Sequence, residues 1–195
     1  MSGGNHMKIY TKKGDSGETG LLFGGRVSKA DPRTDSYGSV DTAISAMGLA
    51  RALCVDPWVK ETVLKAQHEM FSVATELATS PDHYSLLKER FSVVTAEMVE
   101  GLERSIDEIT TQITMPRSFI VPGASAGSGA LDMARTLVRE SERKVVALSA
   151  AGQVPNPEII RYLNRLSDLL FMLARFEDKE IPHEITTGEM RRSKQ

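Results

Sequence analysis

The sequence predicts an all-α protein: an up-and-down bundle of five helices behind a glycine-rich N-terminal segment. Two observations carry this. Five segments repeat apolar residues at helical spacing, with Pro, Gly or Asp breaks between them. The stretch from Lys8 to Arg26 shows neither helical nor strand periodicity, apart from a possible short strand at Lys8–Thr11. With 195 residues, 41% of them apolar, the chain can bury one core and is short for two. One domain is therefore expected over 8–180. Residues 1–7 read as a disordered extension and 181–195 as a polar, mobile tail.

The first helix is expected from about Tyr37 to Leu53, closed by Asp56-Pro57. The second, about Val59 to Thr79, carries Val63, Leu64, Gln67, Phe71, Ala74 and Leu77 on one side and ends at Ser80-Pro81. Thr95 caps the third, whose stripe is Met98, Val99, Leu102, Ile106 and Ile109. The fourth spans Ala130 to Leu148 and stops before Gly152. The fifth runs from near Pro157 to Phe176 with Leu163, Leu166, Leu169, Leu170 and Leu173 toward the core. No internal repeat is visible.

A net charge of -2 argues against a general nucleic-acid binder or a polybasic membrane protein. No apolar run is long enough to span a bilayer, and no signal-peptide pattern precedes the first helix. One cysteine, Cys54, excludes an internal disulfide and suits a reducing, cytoplasmic setting. The histidines (His6, His68, His83, His183) have no metal spacing, and no residue is assigned as a metal ligand. His68 and Glu69 read as a surface pair. No Gly-x-Ser-x-Gly elbow is present.

The chemistry concentrates in two places. On the fourth helix, Asp132, Arg135, Arg139, Glu142 and Arg143 fall within an arc of roughly 100°. Like charges stacked every fourth residue destabilise an isolated helix, so an anion must compensate them: a polyphosphate, a carboxylate partner, or both. The fifth helix repeats the pattern with Arg161, Asn164, Asp168, Phe171 and Arg175. Each seam alone fits a solvated face or a salt-bridge ladder; together they fit a shared polar cleft. The head supplies glycines at 14, 17, 20, 24 and 25, hydroxyls at Thr11, Ser16 and Thr19, and cations at Lys12, Lys13 and Lys29. These are the parts of an anion nest or of a flexible surface loop. It is neither a Walker A loop nor a dinucleotide fingerprint.

Four blocks in order resemble a known family, the ATP-dependent corrinoid (cob(I)alamin) adenosyltransferases of the propanediol-utilisation type. They are Tyr-Thr-Lys-x-Gly-Asp-x-Gly-x-Thr with Phe-Gly-Gly-Arg-Val-x-Lys (10–29), Asp-Pro-Arg then Tyr-Gly-x-Val-Asp (31–41), Phe-Ile-Val-Pro-Gly (119–123), and Ala-Arg-Thr…Glu-Arg-x-Val with Tyr-Leu-Asn-Arg-Leu-Ser-Asp (134–146 and 162–168). The resemblance spans about Lys8 to Arg175.

The resemblance implies a ferritin-like five-helix bundle that assembles as a homotrimer with intersubunit active sites. ATP, with Mg²⁺ held mainly through its phosphates, would meet Thr11, Lys12, Lys13, Gly14, Thr19, Gly20 and Lys29 of one subunit. Across the interface it would meet Arg139, Glu142, Arg143 and Asn164. Arg135 and Asp41 correspond to an intersubunit ion pair, and Phe119 to the aromatic residue beneath the corrin ring. The implied reaction is attack of cobalt(I) on the 5′ carbon of ATP, giving adenosylcobalamin and triphosphate, so no protein nucleophile is needed. A corrinoid reductase or flavoprotein would supply cob(I)alamin, and an adenosylcobalamin-dependent enzyme would accept the product. A second reading of the same residues is a trimer that only holds ATP or adenosylcobalamin; a third is a structural helical protein. The chain departs from the family at Thr42-Ala43-Ile44 and at Glu140, where the family has a second arginine. Glu140 projects about 100° from Arg139, toward a rim of the cleft.

Overall fold

A computed structural model describes residues 9–116, 118–182 and 185. The order of elements is β1 (Glu18–Gly20), β2 (Arg26–Ser28), α1 (Pro32–Leu53), α2 (Pro57–Leu77), a 3-10 turn (Pro81–His83), α3 (Tyr84–Arg90), α4 (Ala96–Thr110), α5 (Ala126–Ala150) and α6 (Glu158–Glu177). α1 packs against both α2 and α5, and α6 packs against α5 and α4. The shared core includes Met47, Met70, Leu131, Val138, Tyr162, Leu166 and Leu170. Burying each large apolar side chain contributes about 1.5–3 kcal/mol, and this drives the long helices together.

Capping residues set the helix starts. Asp31 accepts from the Arg33 amide at 2.8 Å and Pro32 follows at the first helical position. α1 therefore begins five residues before the expected Tyr37. Asp56 caps α2 in the same way, accepting from the Trp58 amide at 2.9 Å. Asp56-Pro57 thus opens a helix and does not merely close one. Thr95 caps α4 as expected, and Ser125 with Ser128 forms a capping box at α5. Gly152, at φ +71°, turns the chain after α5.

Four further expectations change. The described residues hold six helices, because α3 adds two short turns between α2 and α4. The strands lie at 18–20 and 26–28, paired antiparallel with Thr19 opposite Val27, and residues 9–11 form no strand. Phe71 is 56% exposed although it sits at a core-facing angle of the pattern; Ala66, Met70 and Val73 bury in its place. Glu69 is no surface partner of His68: it accepts from the Tyr162 hydroxyl at 2.9 Å. The expected disordered extension at 1–7 lies outside the described residues. So does most of the expected tail, from which Ile185 forms an antiparallel bridge with Ile120.

Arg33 is the fastener of this scaffold. Buried, it donates to the carbonyls of Leu77 and Thr79 at the end of α2, and to the carbonyl and Oε1 of Gln153 in the α5–α6 turn. A cation at a helix C-terminus satisfies orphan carbonyls and complements the helix dipole.

Candidate active site

The charged arc of α5 divides along the helix. Asp132 does not face solvent; it is 4% exposed, turned into the α5–α6 contact. Its Oδ2 accepts from Nη2 of Arg175 at 2.5 Å, and its Oδ1 accepts from Nε of Arg135 at 3.1 Å. Arg175, expected on an exposed seam, is 2% exposed. Its guanidinium and that of Arg135 both lie over the Phe171 ring, 5.2 and 5.9 Å from the centroid. Helical spacing gives an angle about the axis, and the neighbouring helix decides whether that angle meets water.

Arg135 is only 26% exposed, and on its open side lies a cleft of about 530 Å³ between α4, α5 and α6. Arg139, Arg165, Asp168, Glu103 and Phe171 also line it. Arg165 bridges Glu103 at 3.1 Å and Asp168 at 2.9 Å, and Arg161 pairs with Glu158. Among the described residues, Arg139 and Arg143 are the only arginines of α5 and α6 with no carboxylate within 4.0 Å. Glu142, between them in the arc, accepts from Nδ2 of Asn164 at 3.1 Å and ties α5 to α6. The sequence reading missed Arg165 and Glu103. Arg165 stands beside Asn164 in the same motif, whereas nothing in the α4 pattern marks Glu103.

The head folds as a β-hairpin. Arg26 holds it, with Nε on Glu18 at 3.1 Å and Nη2 on the Lys13 carbonyl at 2.7 Å. Gly24 and Gly25 turn at φ +107° and +82°, a region that side chains resist. Lys12 and Phe23 also have positive φ, so local strain concentrates in this segment. The Phe23 ring packs edge-on against Phe91, and Leu22 donates to the Ala78 carbonyl at 3.0 Å, which docks the hairpin on the end of α2. Lys29 Nζ lies 3.1 Å from where a Cβ on Gly14 would stand, so a side chain there would push the lysine head aside by a few tenths of an ångström. Thr11, Lys12, Lys13 and Gly20 are exposed, and Gly14 and Thr19 half-buried.

Lys29 lines a second groove, of about 290 Å³, with Asp35, Glu140 and Lys144. Here Lys144 donates to Asp35 at 2.9 Å and pairs with Glu140 at 3.2 Å. Glu140 thus belongs to this groove and not to the cleft of Arg135 and Arg139. Asp41 is exposed in a third groove with Tyr37, Phe71 and Phe91; within the chain the carboxylate on Arg135 is Asp132. Phe119 is 83% exposed on the connection before α5. One chain therefore brings Arg135 near Arg139, and Glu142 to Asn164, but keeps the head, Asp41 and Phe119 out of their cleft.

No described helix is long and apolar enough to cross a membrane, and no cluster of three or more described His, Cys, Asp or Glu residues is placed to hold a metal ion. A family model described as cobalamin adenosyltransferase matches residues 9–177. The chain is 41% identical over 175 residues to a corrinoid adenosyltransferase of Bacillus subtilis, covering 87% of this chain and 86% of that protein. It is 37% identical over 174 residues to the corrinoid adenosyltransferase PduO of Citrobacter freundii, covering 89% of this chain and 51% of PduO. The chain thus spans about half the length of the PduO relatives it matches. A solved structure of a variant PduO-type ATP:corrinoid adenosyltransferase from Lactobacillus reuteri, complexed with cobalamin and ATP, superposes with a TM-score of 0.85. It shares 30% sequence identity, over 93% of this chain and 97% of that one.

Proposed function

The chain belongs to the cobalamin adenosyltransferase family, and from that premise we propose that it transfers the 5′-deoxyadenosyl group of ATP to cob(I)alamin. The cobalt(I) lone pair forms the Co–C bond as the bond from C5′ to the triphosphate oxygen breaks. Charge gathers on the departing triphosphate. The observation that carries this reading is the pair of exposed α5 guanidinium groups, Arg139 and Arg143, with no carboxylate within 4.0 Å among the described residues. They supply countercharge, together with Lys12, Lys13 and Lys29 of the head and Mg²⁺ carried on the phosphates. Glu142 and Asn164 orient the nucleoside end, and Phe119 covers the lower face of cobalt.

The separation of head and cleft within one chain supports a homotrimer in which the head of one copy closes over the cleft of the next. Asp41 of a neighbouring copy is then the outward partner of Arg135. The long helices α1, α2, α4, α5 and α6 make up the family's five-helix bundle, within a single domain over 8–180. A reductase supplies cob(I)alamin, an adenosylcobalamin-dependent enzyme receives the product, and the setting is cytoplasmic. The test is anaerobic turnover with chemically reduced corrinoid, ATP and Mg²⁺, followed by the absorbance of adenosylcobalamin. Many products per site are expected. One product per site identifies a carrier, and none defeats the reading.

A further inference from the structure

We infer that Asp132 is a positioning residue: a buried carboxylate that fixes Arg135 by its Nε and leaves the terminal nitrogens of that guanidinium for an acceptor at the cleft. The inference rests on the reading above for the identity of that acceptor, but its geometry stands on this chain alone. As a device for stability the Asp132–Arg175 pair is poor. Nε and Nη1 of Arg175 are buried without a hydrogen-bond partner among the described residues. Apolar side chains of similar volume would hold α5 to α6 as well or better.

As a device for orientation it is well made. A guanidinium is planar, so an acceptor on Nε settles the plane and the direction of the other two nitrogens. Asp132 supplies that acceptor from a site closed to water, and the Phe171 ring lies beneath. Among the described residues neither terminal nitrogen of Arg135 has an acceptor of its own. Arg175 occupies the other oxygen of Asp132, so the carboxylate cannot rotate away. Two guanidinium groups share one carboxylate, so the triad keeps a net positive charge, and Arg135 is the member that reaches the cleft. Arg139, one turn further on, has no comparable anchor among the described residues. A fixed Arg135 therefore meets its partner without first losing side-chain entropy.

The test removes both buried charges together, because removing one would strand the other. Asp132→Asn with Arg175→Gln is made in the native chain and again in Arg135→Ala. In the native background kcat/KM for ATP should fall about tenfold or more, mainly in kcat; in Arg135→Ala the same pair should change it less than about twofold. Equal losses in both backgrounds, or none in the first, overturn the inference. A second readout needs no turnover: exchange of the Arg135 Nε–H proton with solvent, followed by nitrogen-15 NMR. It should be slow in the native protein and about tenfold faster in the paired variant. Fast exchange in the native protein overturns the inference even if the variant fails to fold, and so does exchange unchanged in the variant. A native protein that makes no adenosylcobalamin defeats the proposed function, and Asp132 is then judged on the exchange rates alone.

Discussion

Asp132 and Glu76 are both helix carboxylates closed off from solvent, and the chain neutralises them in opposite ways. Among the described residues Glu76 has no cation within 4.0 Å. Its Oε1 accepts from the Val94 amide at 2.6 Å, and its Oε2 from the Tyr84 hydroxyl and from Nδ2 of Asn156, both at 2.9 Å. All three donors are neutral, and they join α2 to α3, to the approach to α4 and to the turn before α6. Burial pushes the Glu76 carboxyl above its ordinary range, and the hydrogen bonds only partly offset this. Asp132 instead shares two cations, one buried and one at the cleft. A hidden carboxylate served by neutral donors belongs to the scaffold; one served by a cation that reaches an open cleft belongs to the site.

The largest effect that sharpens this contrast is on stability at the cleft end. Asp132→Ala strands Arg175 in the core and should lower unfolding free energy by about 3–5 kcal/mol, measured by urea denaturation. Next comes Arg139→Ala, which removes an exposed cation with no carboxylate partner among the described residues. Turnover should fall by about 2.7–4 kcal/mol of transition-state stabilisation, while the melting temperature stays put. A large drop in melting temperature would place Arg139 with the scaffold and break the contrast.

Glu76→Gln addresses the other side through pH. A carboxyl whose folded pKa is raised gives its full stabilisation below the unfolded value, 4.5, and loses it as pH rises through the folded value. The native protein should therefore exceed the Gln variant in stability by more at pH 4.5 than at pH 7, in paired denaturation curves. An advantage that grows with pH would reverse the assignment. The smallest effect belongs to Lys144→Ala, which breaks surface pairs with Asp35 and Glu140 and should cost at most about 1 kcal/mol.

The long helices were legible because each repeats apolar residues over several turns. α3 was not: seven residues with Leu87 alone buried offer no period to detect. The hairpin escaped for the same reason, since three-residue strands among glycines carry no alternation. α1 was read late because its apolar stripe starts after its cap, although Asp31-Pro32 announced the start. In the candidate site, spacing and motif had singled out the residues that the structure shows as the unpaired Arg139 and Arg143 and the hydrogen-bonded Glu142 and Asn164 among the described residues. The burial of Asp132 and Arg175 did not, because a helical wheel records angle and not depth. Phe71 shows the converse: its angle is apolar, yet the described chain leaves it largely uncovered.

Arg33 carries a consequence of another kind. Its guanidinium grips the last carbonyls of α2 and the turn after α5, while Leu22 and Thr79 bridge the hairpin to the same end of α2. Segments more than a hundred residues apart in the chain thus share one anchorage. The hairpin's footing and the α5–α6 corner should open as one cooperative unit, so that neither can fray without loosening the other.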